Sequence, residues 1–92
     1  MTKTEIRAAV VAAIERIQQL SGRPCPPIED GTRPLLDVDG LDSYNGLEAT
    51  VELEGTVGAF GIENVFLSDS GKSARTVETI VNEIVRAQRG AA

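Results

Sequence analysis

Residues 35–54 read Leu35-Leu36-Asp37-Val38-Asp39-Gly40-Leu41-Asp42-Ser43-Tyr44-Asn45-Gly46-Leu47-Glu48-Ala49-Thr50-Val51-Glu52-Leu53-Glu54. The first third, closing on Gly40, has no sustained period and reads as loop. The rest changes register: Tyr44, Leu47, Val51 and Val57 share a helical stripe with Leu53 close by, and the spacing predicts a helix over 43–57. Asp42 or Ser43 can cap it, while Gly46 and Gly55 each weaken it by roughly 1 kcal/mol relative to Ala. The junction at Asp42-Ser43 sets an accessible hydroxyl at the positive end of a helix. A phosphate on that hydroxyl would face unpaired amide groups.

Working outward, the N-terminal flank carries Ile6, Val10, Ala13, Ile14, Ile17 and Leu20, a helical stripe over 4–20. Thr2 followed by Glu5 fits a capping box. Gly22 offers a left-handed stop and Pro24 blocks continuation. Residues 22–41 hold four Pro and three Gly and predict a long functional loop, with Ile28, Leu35, Leu36 and Leu41 pinning it to the core. On the C-terminal flank, residues 62–68 read as a short helix or a turn and 69–73 as a polar connector. Val77, Ile80, Val81, Ile84 and Val85 predict a last helix over 77–88, with Thr76 as its cap and Gly90 as its stop. The expectation is an all-α, four-helix bundle: three main helices, one short, and a long loop between the first two main helices.

The 92 residues suffice for one domain, 1–92, since two would each be too small to bury a core unaided. With no His there is no Ser-His or Cys-His pair and no His-ligated metal. One Cys forms no internal disulfide. Three aromatic residues and a net charge of −5 argue against a surface that stacks bases or grips phosphates. The charge is unevenly spread: +2 over residues 1–23, −9 over 24–70 and +2 over 71–92. An acidic block of this kind is either a solvated face or a docking surface for basic partners. The longest apolar run, Ala8–Ile14, is far short of the roughly 20 residues that span a bilayer, and no small-residue cleavage site follows it. The chain therefore reads as soluble and cytoplasmic, a binding or carrier module and not an enzyme.

Ser43 has no general base nearby, because His is absent and Asp42 is a weak base. It is a poor nucleophile alone and a reasonable acceptor for a group that another enzyme attaches. Taken alone, Asp42-Ser43 is also an ordinary capping pair. Leu47 and Val51 suit either a core or a docking face. A calcium loop is the sharpest rival reading, since Asp37, Asp39 and Glu48 fall at positions 1, 3 and 12 of an EF-hand. It fails at Leu41, where a ligand is required, and at Asp42, where Gly makes the turn. Cys25, in Arg23-Pro24-Cys25-Pro26-Pro27, reads as an incidental loop thiol, with Arg23 placed to favour its thiolate.

With these residues in view, the sequence resembles the acyl carrier protein family. Asp42-Ser43 matches the family's signature pair. Asp37-Val38-Asp39-Gly40-Leu41 fits the segment before it, Leu47-Glu48 and Leu53-Glu54 fall at the later Leu-Glu offsets, and Thr76-Val77 opens the last helix as in the family. The resemblance spans nearly the whole chain. It implies a four-helix carrier whose Ser43 receives 4′-phosphopantetheine from coenzyme A through a phosphopantetheinyl transferase. The arm's thiol would hold acyl groups as thioesters for fatty-acid, lipid or polyketide-type enzymes. It also implies that Asp42, Leu47, Glu48, Val51, Glu54 and Ile62 dock partners with basic patches, and that the carrier is a monomer. Tyr44 stands where Leu is usual, Gly46, Ala49 and Thr50 where larger helix formers are commoner, and the chain before Thr76 is about five residues longer, which marks a specialised, divergent member. Gly46 and Ala49 would then alter how an acyl chain is sheltered between helices. The alternative is an unmodified acidic helical module that binds a basic partner.

Overall fold

Helix α1 (Lys3–Leu20) begins as its sequence prescribes. Thr2 Oγ1 accepts from the Glu5 amide at 3.1 Å and Glu5 Oε1 accepts from the Thr2 amide at 2.8 Å, a complete capping box. The computed structural model, which describes residues 1–90, buries Ile6, Val10, Ala13, Ile14 and Ile17 along one face of α1. Leu20, expected to extend that stripe, is 76% exposed, and Gln18 is buried instead. The reason is polar. The Gln18 side-chain amide donates to the carbonyls of Pro24 at 2.9 Å and Asp39 at 2.8 Å, and its oxygen accepts from Arg23. It thereby satisfies carbonyls of the proline-rich crossover that no ladder reaches. Gly22, at φ 69°, turns the chain out of the helix.

The crossover contains a helix that the proline and glycine punctuation conceals: α2 (Pro34–Asp37), a single turn with Pro at its first position. Asp37 closes it by accepting the Arg33 amide at 2.7 Å. Val38 and Leu41 are buried, and Ile28 and Leu35 pack against the core, but Leu36 is 71% exposed and pins nothing. The crossover is held at its centre. The Thr32 and Asp30 carbonyls accept from Val77 N at 2.9 Å and Glu78 N at 3.0 Å, and Arg7 Nε meets Asp30 Oδ1 at 2.6 Å.

Helix α3 (Ser43–Val57) has the predicted range but a different inner face. Gly46, Ala49, Thr50 and Leu53 are buried, an i, i+3, i+4, i+7 set. Tyr44 and Val51, expected on the apolar stripe, are 67% and 70% exposed, and Leu47 and Val57 are half-buried. The small-residue face turns inward because another segment fills the space before it: a Cβ on Gly46 would lie 2.8 Å from the Asn64 side chain.

Residues 58–76 form no helix, so of the two readings of 62–68, a short helix or a turn, the turn holds, with one antiparallel bridge between Leu67 and Ala74. The segment's backbone groups are met by side chains and by a backbone bond across the turn. Val65 N donates to Thr50 Oγ1 at 3.1 Å, Phe66 N to Asn64 Oδ1 at 3.1 Å, and Phe66 O accepts from Arg75 N at 2.9 Å. Phe60, Val65 and Phe66 are buried in the core. Helix α4 (Val77–Gly90) follows, with Thr76 Oγ1 accepting from Thr79 N at 3.2 Å as a cap. Val77, Ile80, Val81 and Ile84 are buried and Val85 packs beside them. Gly90 is the last described residue, so its role as a stop lies at the edge of what is described. The architecture is a compact all-α arrangement of four helices, three long and one short, with no strand among the described residues. Helix α1 packs on both α3 and α4. No described helix is long and apolar enough to cross a membrane.

Candidate functional site

The site begins at the cap of α3. Asp42 has extended backbone, its Oδ1 accepts the Asn45 amide at 3.0 Å, and Asn45 Oδ1 accepts the Asp42 amide at 3.3 Å. Asp42 is therefore the cap and Ser43 the first helical residue, exposed, with its hydroxyl outside the capping box. Asn45 also donates to Glu48 Oε1 at 3.0 Å and receives a long contact from Arg23 at 3.5 Å. The Ser43 carbonyl accepts from Asn64 Nδ2 at 2.9 Å. That bond fixes the segment after α3 beside the hydroxyl.

Between them lies an open groove of about 750 Å³. One wall is the first turns of α3, with Ser43, Tyr44 and Leu47. Ile62, Asn64 and Leu67 line the opposite side, which continues into the polar turn of residues 68–71. That turn is internally braced. Ser68 N donates to Ser73 O and Gly71 N to Ser68 O, both at 2.8 Å, and Arg75 Nη2 meets Asp69 Oδ1 at 2.8 Å.

The structure gathers some of the sequence-derived site residues and diverts one. Asp42, Glu48 and Val51 are exposed, and Leu47 and Ile62 are half-buried on the groove. Glu54 is turned inward on its own loop: its Oε2 accepts from Phe60 N at 2.9 Å and Gly61 N at 3.1 Å, closing the chain reversal after α3. Glu52 pairs with Arg16 at 3.1 Å. Glu52 and Glu54 are thus engaged away from Ser43, while Asp42 and Glu48, each bonded to Asn45, are the exposed carboxylates near it. Beside Gly46 and Ala49 the packing is close: the Asn64 side chain lies over Gly46, and Ala49 is buried.

Sequence reasoning missed Asn64 and Thr50. The predicted stripe set Thr50 off the inner face, so nothing in the sequence signalled it; the structure buries it, and its hydroxyl has two partners, Gly46 O at 2.7 Å and Val65 N at 3.1 Å.

Cys25 is exposed, and the expectation that Arg23 favours its thiolate is reversed. What burial it has pushes the thiol up, and the Glu15 charge adds to that. Asp37 is engaged with the Arg33 amide, and among the described residues no cluster of three or more His, Cys, Asp or Glu is arranged to hold a metal. No family model, no curated protein and no solved structure matches the chain.

Proposed function

We propose that this chain is a carrier of the acyl carrier protein type, with 4′-phosphopantetheine attached at Ser43 by a separate phosphopantetheinyl transferase. The observation that carries the reading is the orientation of α3. Leu53 alone of its large apolar residues is fully buried; Tyr44 and Val51 are exposed and Leu47 lies on the groove, next to an exposed Ser43. A helix that turns such residues outward beside exposed carboxylates has the composition of a docking face: an apolar centre with a charged surround. The Ser43 hydroxyl is outside the cap, and the adjoining groove has room for the start of an arm, so the residues present fit the group.

When bound, the arm supplies a thiol that holds acyl groups as thioesters for fatty-acid, lipid or polyketide-type enzymes. The chain's own residues position that arm. Asp42 is occupied with the Asn45 amide, so the base that takes the Ser43 proton belongs to the transferase. Asp42 and Glu48 steer basic patches, while Leu47, Val51 and Ile62 seat the partner's apolar centre. Glu54 contributes by shaping the turn that carries Ile62. On this reading the protein is a monomeric cytoplasmic carrier, acted upon by enzymes and not itself one.

Incubation with coenzyme A and a broad-specificity transferase, followed by intact mass measurement, tests this. The expected result is a gain of one phosphopantetheine group, abolished in Ser43→Ala. Absence of any gain with several transferases overturns it and favours an unmodified interaction module.

A further inference from the structure

The groove beside Ser43 has two unlike sides. Leu47, Ile62 and Leu67 give it an apolar floor, and Ser68, Asp69 and Ser70 give it a polar far wall. That wall is fixed before anything binds. Ser68 Oγ accepts the Ser73 amide at 3.2 Å, the 68–73 backbone is doubly bonded, and Asp69 is held by Arg75, itself buried and donating to Val65 O. The way inward is shut. Asn64 covers Gly46, and Thr50, Leu53, Val65 and Phe66 are fully packed. We infer that the cargo of this carrier is a short acyl group bearing hydroxyl, oxo or amino substituents, held on the surface against the 67–74 hairpin and not sheltered in the helical core.

The inference rests on the carrier reading of Ser43. A long saturated chain gains by leaving water only where apolar surface encloses it, and here one side of the groove is polar and the top is open. Laid across this wall, such a chain would strip water from the exposed Asp69 carboxylate and from the one hydroxyl proton that the Ser68–Ser70 hydroxyl bond of 3.1 Å leaves over, and return no hydrogen bond. A short group with its own donors and acceptors exchanges those bonds instead, and the braced hairpin loses little freedom in meeting it.

The test loads the arm with butyryl, 3-hydroxybutyryl or decanoyl groups, verifies loading by mass, and records backbone amide shifts and thioester hydrolysis. The 3-hydroxybutyryl form is expected to shift the Leu67, Ser68 and Gly71 amides beyond the butyryl form and to leave Val65 and Phe66 in place. Its hydrolysis is expected to be roughly threefold slower than that of the same thioester on free pantetheine, the scale of one net hydrogen bond. Decanoyl-dependent shifts at Val65 and Phe66, or hairpin amides that do not distinguish 3-hydroxybutyryl from butyryl, overturn the inference while leaving the carrier reading intact. Failure to attach any arm removes the carrier reading, and the inference with it.

Discussion

Thr50 is buried, gives its hydroxyl proton to the Gly46 carbonyl and takes the Val65 amide on the same oxygen. Thr50→Val keeps the shape and strands the Val65 N–H. A buried donor without a partner costs about 2 kcal/mol, so the urea midpoint is expected to fall accordingly while the slope of the transition stays unchanged. Neither the burial of Thr50 nor its partner 15 residues away was legible, because nothing in a helical period specifies what an irregular segment offers it. Gln18 is the same case, a polar residue inside by virtue of remote carbonyls. Cys25 is a simpler matter of charge and water. With its pKa raised, less thiolate is present at a given pH. The alkylation rate with iodoacetamide is expected to reach half its plateau above the pH of about 8.5 typical of a free thiol.

At the scale of elements, what is local was legible. The ranges of α1 and α3 and the start of α4 follow from spacing and caps whose partners lie three or four residues away. The Thr2–Glu5 box makes a pH prediction. The Thr2 amide, then its hydroxyl, holds the Glu5 carboxyl below its ordinary value. A depressed folded-state pKa means stabilisation that is complete above the unfolded pKa and lost as pH falls through the folded one. Wild type is therefore expected to melt higher than Glu5→Gln at pH 7, with the gap closing as pH falls below about 4, as read by circular dichroism melts. Two elements were not legible. Helix α2 is a single turn, too short to show a period, and the turns of 58–76 follow bonds to the Thr50 and Asn64 side chains that no periodicity marks. The inner face of α3 was misread for a related reason, since larger apolar residues normally face the core and here Asn64 and Val65 already fill that side. The place of Ser43 at the start of α3 was legible because cap chemistry is local, whereas the groove beside it was not, because its two sides come from segments about 20 residues apart.

For the whole molecule, the −9 central block read from the sequence surrounds Ser43 with Asp42 and Glu48 exposed. Long-range attraction of this kind is screened by salt. Between about 0.01 M and 1 M the screening length falls from about 30 Å to about 3 Å, and under the proposed carrier function the rate of arm transfer by a basic transferase is expected to fall at least about fivefold. Glu48→Gln is expected to flatten that dependence without altering the melting temperature, measured by initial rates across a salt series. The packing of α1 on both α3 and α4 has a consequence for synthesis. Ile6, Val10 and Ile14 leave the ribosome before both helices that cover them; α3 ends at Val57 and α4 reaches Gly90. At roughly 5–20 residues per second, the nascent chain would carry a half-covered apolar helix for about 2–7 s, a window open to chaperone engagement.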